Sequence, residues 1–208
     1  METKDKGFYK KGKPFQNMAS KIPASEMAHK VDFPEVFKTS FIEKAQKIGK
    51  AKNRRERVAG LTSIFIDLNT YISFHKISAP EINRVKASKA EEKGKFDKGQ
   101  IGIREGKTKL VSDRVPKLAL QAGIETGVYR NSENKAEFLK ELDLKLAEEC
   151  HELMWEAKTK EKRTEELADV YEVIDAILKY RNIEMREINP RLQTHEIIQR
   201  RKLAKNKT

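Results

Sequence analysis

Two stretches decide the fold of this chain: Glu148-Glu149-Cys150-His151-Glu152 and Glu165-Glu166-Leu167-Ala168-Asp169. Each stretch holds two acidic residues three positions apart, and residues at i and i+3 share one face of an α-helix. The segment between the two acid pairs is long enough to end one helix, turn and begin a second. Two antiparallel helices would therefore direct four carboxylates at one point, namely those of Glu149, Glu152, Glu166 and Asp169.

Four carboxylates this close repel one another unless a cation lies between them. Oxygen-only ligands favour a hard cation, so the sequence predicts a Mg²⁺ site, with Mn²⁺ as the alternative ion. A solvated helix face is the competing interpretation, because 37% of the residues are charged. Apolar residues at helical spacing border both acid pairs, however, and acids beside a core face are poorly solvated. These apolar residues are Leu139, Leu142, Leu146, Cys150, Leu153 and Ala157, followed by Val170, Val173, Ile174 and Ile177.

Length and composition limit the classes of protein to which this chain can belong. At 208 residues the chain can hold one medium domain or two small ones. The longest mainly apolar run, residues 61–68, is too short to span a bilayer, and the first 20 residues lack the apolar segment of a signal peptide. The single cysteine, Cys150, excludes an intrachain disulfide and suits a reducing compartment. We therefore expect a cytoplasmic protein without a membrane partner.

Charge is distributed unevenly along the chain, whose formal net charge is +12. Residues 1–107 carry 24 basic and 13 acidic residues, whereas residues 133–175 carry seven basic and 14 acidic ones. An acidic segment inside a basic protein suits a site that binds a cation and a polyphosphate together. The basic first half also suits nucleic acid, so the charge alone leaves that partner open.

Hydrophobic periodicity and capping residues predict a mainly helical chain. We expect N-caps at Asp113, Ser132 and Thr164, a short extended piece at residues 101–103, and a flexible basic arm over residues 1–17. The predicted helices cover about 33–52, 57–75, 78–93, 114–122, 132–158 and 164–180, with a last helix within 187–202.

A second motif accompanies the acid pairs. The stretch Lys109-Leu110-Val111-Ser112-Asp113-Arg114-Val115-Pro116 resembles the KLVRDKIP opening of a house-cleaning branch of the all-α NTP pyrophosphohydrolases. The order ExxE, short gap, ExxD resembles the same MazG-like superfamily, which includes phosphoribosyl-ATP pyrophosphohydrolase and dimeric dUTPases. The resemblance covers roughly residues 108–182. Ser112 departs from it, because that branch usually has Arg there, and this removes one expected phosphate contact.

The resemblance implies a Mg²⁺-dependent hydrolase that cleaves a nucleoside triphosphate between its α- and β-phosphates, giving a monophosphate and pyrophosphate. It implies that the four acids are the metal ligands and that Glu148 and Glu172 are candidates for activating water. Lys109, Arg114 and Lys145 are candidate contacts to the substrate phosphates, and an ion pair along the helix is the alternative for Lys145. The base and the sugar of the substrate stay open.

The chain resembles itself at an offset of 106 residues. The tripeptide Glu-Ile-Asn at residues 81–83 recurs at residues 187–189, and apolar positions of the two halves coincide. We therefore predict two tandem MazG-like copies, residues 18–106 and residues 107–208, the second with a basic C-terminal tail. The predicted fold class is an all-α helical bundle in which the copies form an intramolecular pseudo-dimer.

The first copy has lost most of the acids. At the same offset Glu43 matches Glu149, whereas Gln46, Gly60 and Ser63 stand where the other three acids would be. We therefore expect one site, in the second copy, with basic residues of the first copy facing it. The residues expected to do so are Lys44, Lys47 and Arg84.

Two other functions compete with the enzyme. One is a basic helical nucleic-acid-binding protein, supported by the basic first half; the other is a MazG-like pseudoenzyme with a regulatory role. A nucleic-acid binder predicts an affinity that falls steeply with salt and does not depend on Glu149. The enzyme predicts Mg²⁺-dependent release of pyrophosphate. Further oligomerisation of the pseudo-dimer stays open.

Overall fold

The structure is a computed structural model that describes residues 35–104, 106–123 and 128–189. The predicted arm over residues 1–17 and most of the last predicted helix lie outside these ranges. The described chain is mostly helical, as the sequence predicts, and it also contains a small antiparallel sheet. Among the described helices, none combines the length and apolarity that crossing a membrane requires.

Helices and strands follow one another in an order that places the sheet in the middle of the chain. The described elements are α1 (Glu35–Gly49), α2 (Arg54–Phe74), α3 (Ala79–Lys93), β1 (Gln100–Arg104), β2 (Lys107–Val111), α4 (Val115–Gln121), β3 (Val128–Asn131), α5 (Lys135–Trp155), α6 (Lys160–Tyr180) and α7 (Met185–Ile188).

Two helical hairpins, α1–α2 and α5–α6, form the core of the protein. Within each hairpin the helices pack on each other, and α1 also packs along α5. Phe65 of α2 and Tyr171 of α6 meet edge to face, with 6.2 Å between their ring centroids. Both side chains are buried, and burying a large apolar side chain stabilises a fold by roughly 1.5–3 kcal/mol. The two hairpins therefore share one hydrophobic core.

The short helices that follow the hairpins are exchanged between them. Helix α3 follows α2 in the chain but packs on α6, and α7 follows α6 but packs on α2. An ion pair between Lys86 and Asp175 joins α3 to α6, and one between Arg54 and Glu187, 2.8 Å long, joins α2 to α7. The last described helix of each half therefore packs on the helical hairpin of the other half.

The 106-residue offset found in the sequence recurs in the structure. Helices α2 and α6 begin and end at residues that are 106 apart. Lys76 and Asn182, also 106 apart, both have a positive φ, 51° and 53°. Every buried residue of α2 has a buried counterpart on α6 at this offset. The two helices therefore correspond in their boundaries, their C-terminal turns and their buried faces.

Helices α1 and α5 correspond at a register shifted by one residue. The three buried residues of α1 match buried residues of α5 at an offset of 105, not 106. On this register Glu43 corresponds to Glu148, and Lys44 stands in the place of Glu149. The expected match between Glu43 and Glu149 is therefore displaced, and the first half keeps none of the four acids. The buried residues of α1 are Phe41, Ala45 and Ile48.

The three strands form a sheet in the order β2-β1-β3, antiparallel throughout. The central strand β1 contains the extended piece predicted at residues 101–103, and its Ile101 is fully buried. At Gly102 a Cβ would lie 3.3 Å from Cε1 of Tyr129, so a side chain at this position would have to displace the tyrosine ring by a few tenths of an ångström. The predicted boundary between residues 106 and 107 falls inside the β1–β2 hairpin. The two predicted copies are therefore not separately packed units.

The predicted helix caps at three positions are wrong. Asn134 caps α5 and Thr159 caps α6, each through a side-chain oxygen that accepts a backbone N–H. The backbone N–H of Ser132 instead donates to the main-chain carbonyl of Gly99, next to the sheet. The hydroxyl of Thr164 donates to the carbonyl of Lys160, one turn earlier within α6. The carboxylate of Asp113 accepts hydrogen bonds from two backbone N–H groups in the loop after α3. None of the three side chains therefore caps the helix predicted for it.

Candidate functional site

Helices α5 and α6 bring together three of the four predicted metal ligands. Glu149 lies near the end of α5, and Glu166 and Asp169 lie in the first half of α6. Because the two helices pack on each other across a short turn, these positions meet. One carboxylate oxygen of each residue lies within 4.8 Å of the other two. Converging carboxylate oxygens are the ligand set that a hard divalent cation prefers.

Two buried oxygens of this cluster receive no hydrogen bond. Oε2 of Glu149 and Oε2 of Glu166 have no donor among the described residues, although the two residues are only 5% and 2% exposed. Leaving a buried polar group unsatisfied costs about 1–3 kcal/mol, and more for a charged group. A divalent cation held by these oxygens would replace their lost hydration. The donor set therefore fits Mg²⁺.

The fourth predicted ligand, Glu152, lies beside the cluster. It is half-buried and belongs to the wall of the same cavity. Burial, together with the negative charge of Glu149, raises the pKa of Glu152 to about 7. Carboxylates crowded together resist ionisation in this way. Burial is the larger cause and the charge of Glu149 adds to it, so a cation bound beside Glu152 would favour its ionised form.

Each carboxylate of the cluster also has a lysine of its own. The three lysines come from three different helices, so the cluster is surrounded by positive charge. Burial lowers the pKa of Lys145, but the charges of Glu149 and Glu148 outweigh burial and hold that pKa above its usual value. The pairs are Lys145 with Glu149, Lys162 with Glu166 at 2.6 Å, and Lys89 with Asp169 at 2.5 Å.

A cavity of about 680 Å³ opens onto the cluster. Its volume falls within the range of roughly 300–1,000 Å³ that is typical of small-molecule sites. Apolar residues of the loop after α3 and of β2, including Phe96 and Leu110, complete its wall. Acids for a cation and lysines for an anion on one wall suit a metal–polyphosphate ligand. The lysines are Lys86, Lys89, Lys93, Lys109, Lys145 and Lys162.

Two of the three predicted phosphate contacts, Lys109 and Lys145, line this cavity, and Arg114 does not. Arg114 is exposed, and its guanidinium donates a hydrogen bond of 2.5 Å to the main-chain carbonyl of Glu91. This bond ties the start of α4 to the end of α3. The geometry thus gives Arg114 a structural contact and no direct path to a ligand in the cavity.

The two predicted catalytic acids occupy different environments. Glu172 is half-buried in the cavity wall, and burial raises its pKa. Glu148 lies outside the wall and pairs with Lys109 and with Lys145, the latter at 3.1 Å. Burial raises the pKa of Glu148, but the two lysines outweigh burial and leave that pKa below its usual value. A lowered pKa makes a carboxylate a poor proton acceptor, so Glu172 is the better placed of the two.

The sequence interpretation missed the lysines that α3 contributes. Lys86, Lys89 and Lys93 are three and four residues apart, and this spacing puts them on one face of α3. The spacing is visible in the sequence, but no local pattern shows that this face meets α6. Lys162, one turn before Glu166 on the same helix, was also missed although its i,i+4 spacing could have revealed it.

The first-half residues expected to face the site do not do so. Lys44 pairs with Asp67 at 2.6 Å, and Lys47 lies 3.8 Å from Glu43 on its own helix. Arg84 is exposed on α3. None of these three lysine and arginine side chains belongs to the described cavity wall. The first-half lysines that do line the cavity lie on α3, because α3 rather than α1 packs on α6 beside Glu166 and Asp169.

Comparisons with models of known protein families, with curated proteins and with solved structures find no match for this chain.

Proposed function

We propose that this chain is a Mg²⁺-dependent nucleoside triphosphate pyrophosphohydrolase of the MazG-like type, which converts a nucleoside triphosphate to a monophosphate and pyrophosphate. The observation that carries the proposal is the convergence of Glu149, Glu166 and Asp169 within 4.8 Å on the wall of a lysine-lined cavity. A triphosphate needs both groups of residues, because its charge is neutralised partly by a metal and partly by cationic side chains.

The acids of α5 and α6 would hold the metal. Glu149, Glu166 and Asp169 provide the converging oxygens, and Glu152 provides a fourth carboxylate at the edge. Mg²⁺ bound there would neutralise phosphate oxygens and act as a Lewis acid. Mn²⁺, which accepts the same oxygen ligands, is the alternative ion.

The other residues of the wall bind the phosphates of the substrate and accept the proton of the attacking water. Lys89 and Lys93 of α3, Lys109 of β2 and Lys145 of α5 approach from separate elements, so they bind the phosphate chain from several sides. Glu172 accepts a proton from the attacking water. The water oxygen bonds to the α-phosphorus, the bond from this phosphorus to the bridging oxygen breaks, and pyrophosphate leaves.

We also infer that the chain is an intramolecular pseudo-dimer of two tandem copies. The matching boundaries of α2 and α6 and the exchanged positions of α3 and α7 support it. In this arrangement the first half has lost its acids and contributes α3 to the site of the second half. A covalent link spares the two halves much of the entropy that separate subunits lose on association.

The test is release of pyrophosphate from a panel of canonical and noncanonical nucleoside triphosphates, with Mg²⁺, with Mn²⁺ and with chelator. The proposal predicts turnover that requires the metal and is lost in Glu149→Gln. Binding without turnover would identify a pseudoenzyme. Affinity for nucleic acid that falls steeply with salt and is unchanged in Glu149→Gln would identify the nucleic-acid binder instead.

A further inference from the structure

A second cavity, of about 660 Å³, lies between α1 and α5 and contains an excess of positive charge. Four cationic residues line it, and Asp143 is the one acid among its described lining residues. The metal cavity differs, because acids there balance the lysines. The formal charge of the second cavity wall is therefore +3. The four cationic residues are Lys50, Arg57, Lys140 and Arg181.

Part of the excess positive charge lies in a buried triad formed by Asp143, Arg181 and Arg57. Asp143 lies between Arg181, whose Nη2 is 2.5 Å away, and Arg57, whose Nη2 is 3.7 Å away. The three side chains are only 5%, 16% and 13% exposed. One carboxylate cannot neutralise two guanidinium groups, and an uncompensated charge in a poorly solvated place is unfavourable. The triad therefore favours an additional anion nearby.

Arg57 is the member of the triad with the weakest partners. Besides its distant contact to Asp143, its guanidinium donates to the carbonyls of Ile48 and Ala51, both at 3.4 Å. Hydrogen bonds of that length are weak. A guanidinium group binds phosphate oxygens more strongly than it binds neutral carbonyls, since both partners are then charged. An anionic ligand would therefore give the guanidinium of Arg57 stronger hydrogen bonds than the ones it makes in this structure.

The rest of the wall suits the organic part of such a ligand. Lys50 and Lys140 are exposed at the rim, where their ammonium groups would attract an anion. Leu139 and Ala147 line the same cavity, as does Leu144, which is 53% exposed despite its apolar side chain. An exposed leucine beside four cations offers an apolar surface to a ring or a base.

We propose that this cavity binds a small organic phosphate: the phosphate lies against Arg57, Arg181 and the two rim lysines, and the apolar part lies on Leu139 and Leu144. A phosphate monoester, with up to two negative charges, matches the +3 wall better than a singly charged carboxylate. The site is separate from the metal cluster, because Asp169 and Arg181 are twelve residues apart on α6 and its first following turn, about 18 Å of helix.

The test is calorimetric titration of the full chain in chelator, with adenosine 5′-monophosphate as the probe. Saturable binding of one equivalent is expected. Adenosine, which lacks the phosphate, should not bind, and inorganic phosphate, which lacks the apolar part, should bind more weakly. Absence of saturable binding of the monophosphate, or equal binding of adenosine, would overturn the proposal.

Paired double variants assign the binding to one cavity. Lys50→Gln with Lys140→Gln changes two exposed residues and should weaken the monophosphate about tenfold. Lys89→Gln with Lys93→Gln makes the same charge change at the metal cavity and should leave this binding unchanged. The opposite ranking would place the ligand at the metal cavity and refute a second site. Arg181→Lys, checked by circular dichroism, should also weaken binding because it keeps the charge but loses the planar fork.

Discussion

Nζ of Lys89 lies 2.5 Å from Oδ2 of Asp169, and this contact joins a helix of the first half to a candidate metal ligand of the second half. Nζ of Lys89 also donates to the main-chain carbonyl of Glu165 at 3.2 Å. The site is therefore built from residues about 80 positions apart in the chain. The proposed hydrolase activity should therefore depend on the first half directly, through α3.

The candidate metal ligands give the first prediction. Glu149→Gln and Asp169→Asn should each lower Mg²⁺-dependent pyrophosphate release by at least about 100-fold, because an amide cannot supply a negative charge to a hard cation. Each variant should also lose the rise in melting temperature that Mg²⁺ gives the wild type. Glu156→Gln, an exposed change just past the end of α5, is the control and should behave as wild type. Activity that survives in both ligand variants would eliminate this site.

The lysines of α3 give the second prediction. Lys89→Gln should raise KM for a triphosphate and lower kcat/KM about tenfold, because it removes a charge from the phosphate path. Its affinity for Mg²⁺ should not fall, since Asp169 loses a competing cation. Arg84→Gln makes the same charge change on an exposed face of α3 and should leave both quantities unchanged.

The sequence motif suggested a different result for Arg114. The motif makes Arg114 a candidate phosphate contact, but its guanidinium lies outside the cavity. The kcat/KM of Arg114→Ala should fall less than that of Lys89→Gln, and the main effect should be lower thermal stability through the lost bond to Glu91. Side-by-side kinetics of the two variants decide the matter, and a larger loss for Arg114→Ala would restore its predicted role.

The pKa of Glu152 gives the third prediction. Its folded-state pKa of about 7 exceeds the ordinary value of 4.5, so between these pH values the folded protein holds more protons than the unfolded one. Stability of the metal-free protein therefore decreases as pH rises through this window. Glu152→Gln cannot ionise and should be more stable than wild type above pH 7, by about 1 kcal/mol after screening by solvent.

Denaturant unfolding in chelator measures this difference, which should vanish towards about pH 4. Saturating Mg²⁺ should reverse the order of the two proteins, because the ionised carboxylate then becomes favourable. A variant that is as stable as wild type at every pH would show that the fold does not raise the pKa of Glu152.

The exchanged helices and the shared sheet give the fourth prediction. A fragment of residues 107–208 lacks α3 and the central strand β1, so it should aggregate or associate with itself and be inactive. A fragment of residues 95–208 keeps β1 but still lacks α1 to α3, and it separates the contribution of the strand from that of the helices. Light scattering and pyrophosphate release report both properties. A monomeric, fully active 107–208 fragment would disprove the pseudo-dimer.

Local patterns in the sequence predict the acidic cluster because its geometry is local. Glu166 and Asp169 are one turn apart on a single helix, and Glu149 lies in the last two turns of the helix that precedes it in the chain. Capping depends on one or two hydrogen bonds, so Thr159 and Thr164 could not be distinguished by pattern alone. Each lies within one turn of a helix start and has a hydroxyl that accepts or donates equally well.

The lysines of α3 could not be assigned to the site because their position depends on tertiary packing. Hydrophobic periodicity indicates which face of α3 is buried, but not which helix covers it. The sequence predicts only residues 101–103 of the sheet, because β2 contains two lysines among its five residues and β3 is four residues long. Short polar strands carry little signal of their own.

The exchange of α3 and α7 between the hairpins also determines when the protein can fold during synthesis. Helix α3 ends at Lys93, but its packing surface is complete only when α6 has been made, up to Tyr180. At about 5–20 residues per second, a ribosome needs roughly 4–17 s to add those residues. During this time the lysines of α3 lack their acidic partners on α6, and the buried residues of α2 lack the second-half residues that pack on them. The nascent first half therefore keeps apolar surface exposed until then, and its final packing is a late, long-range event.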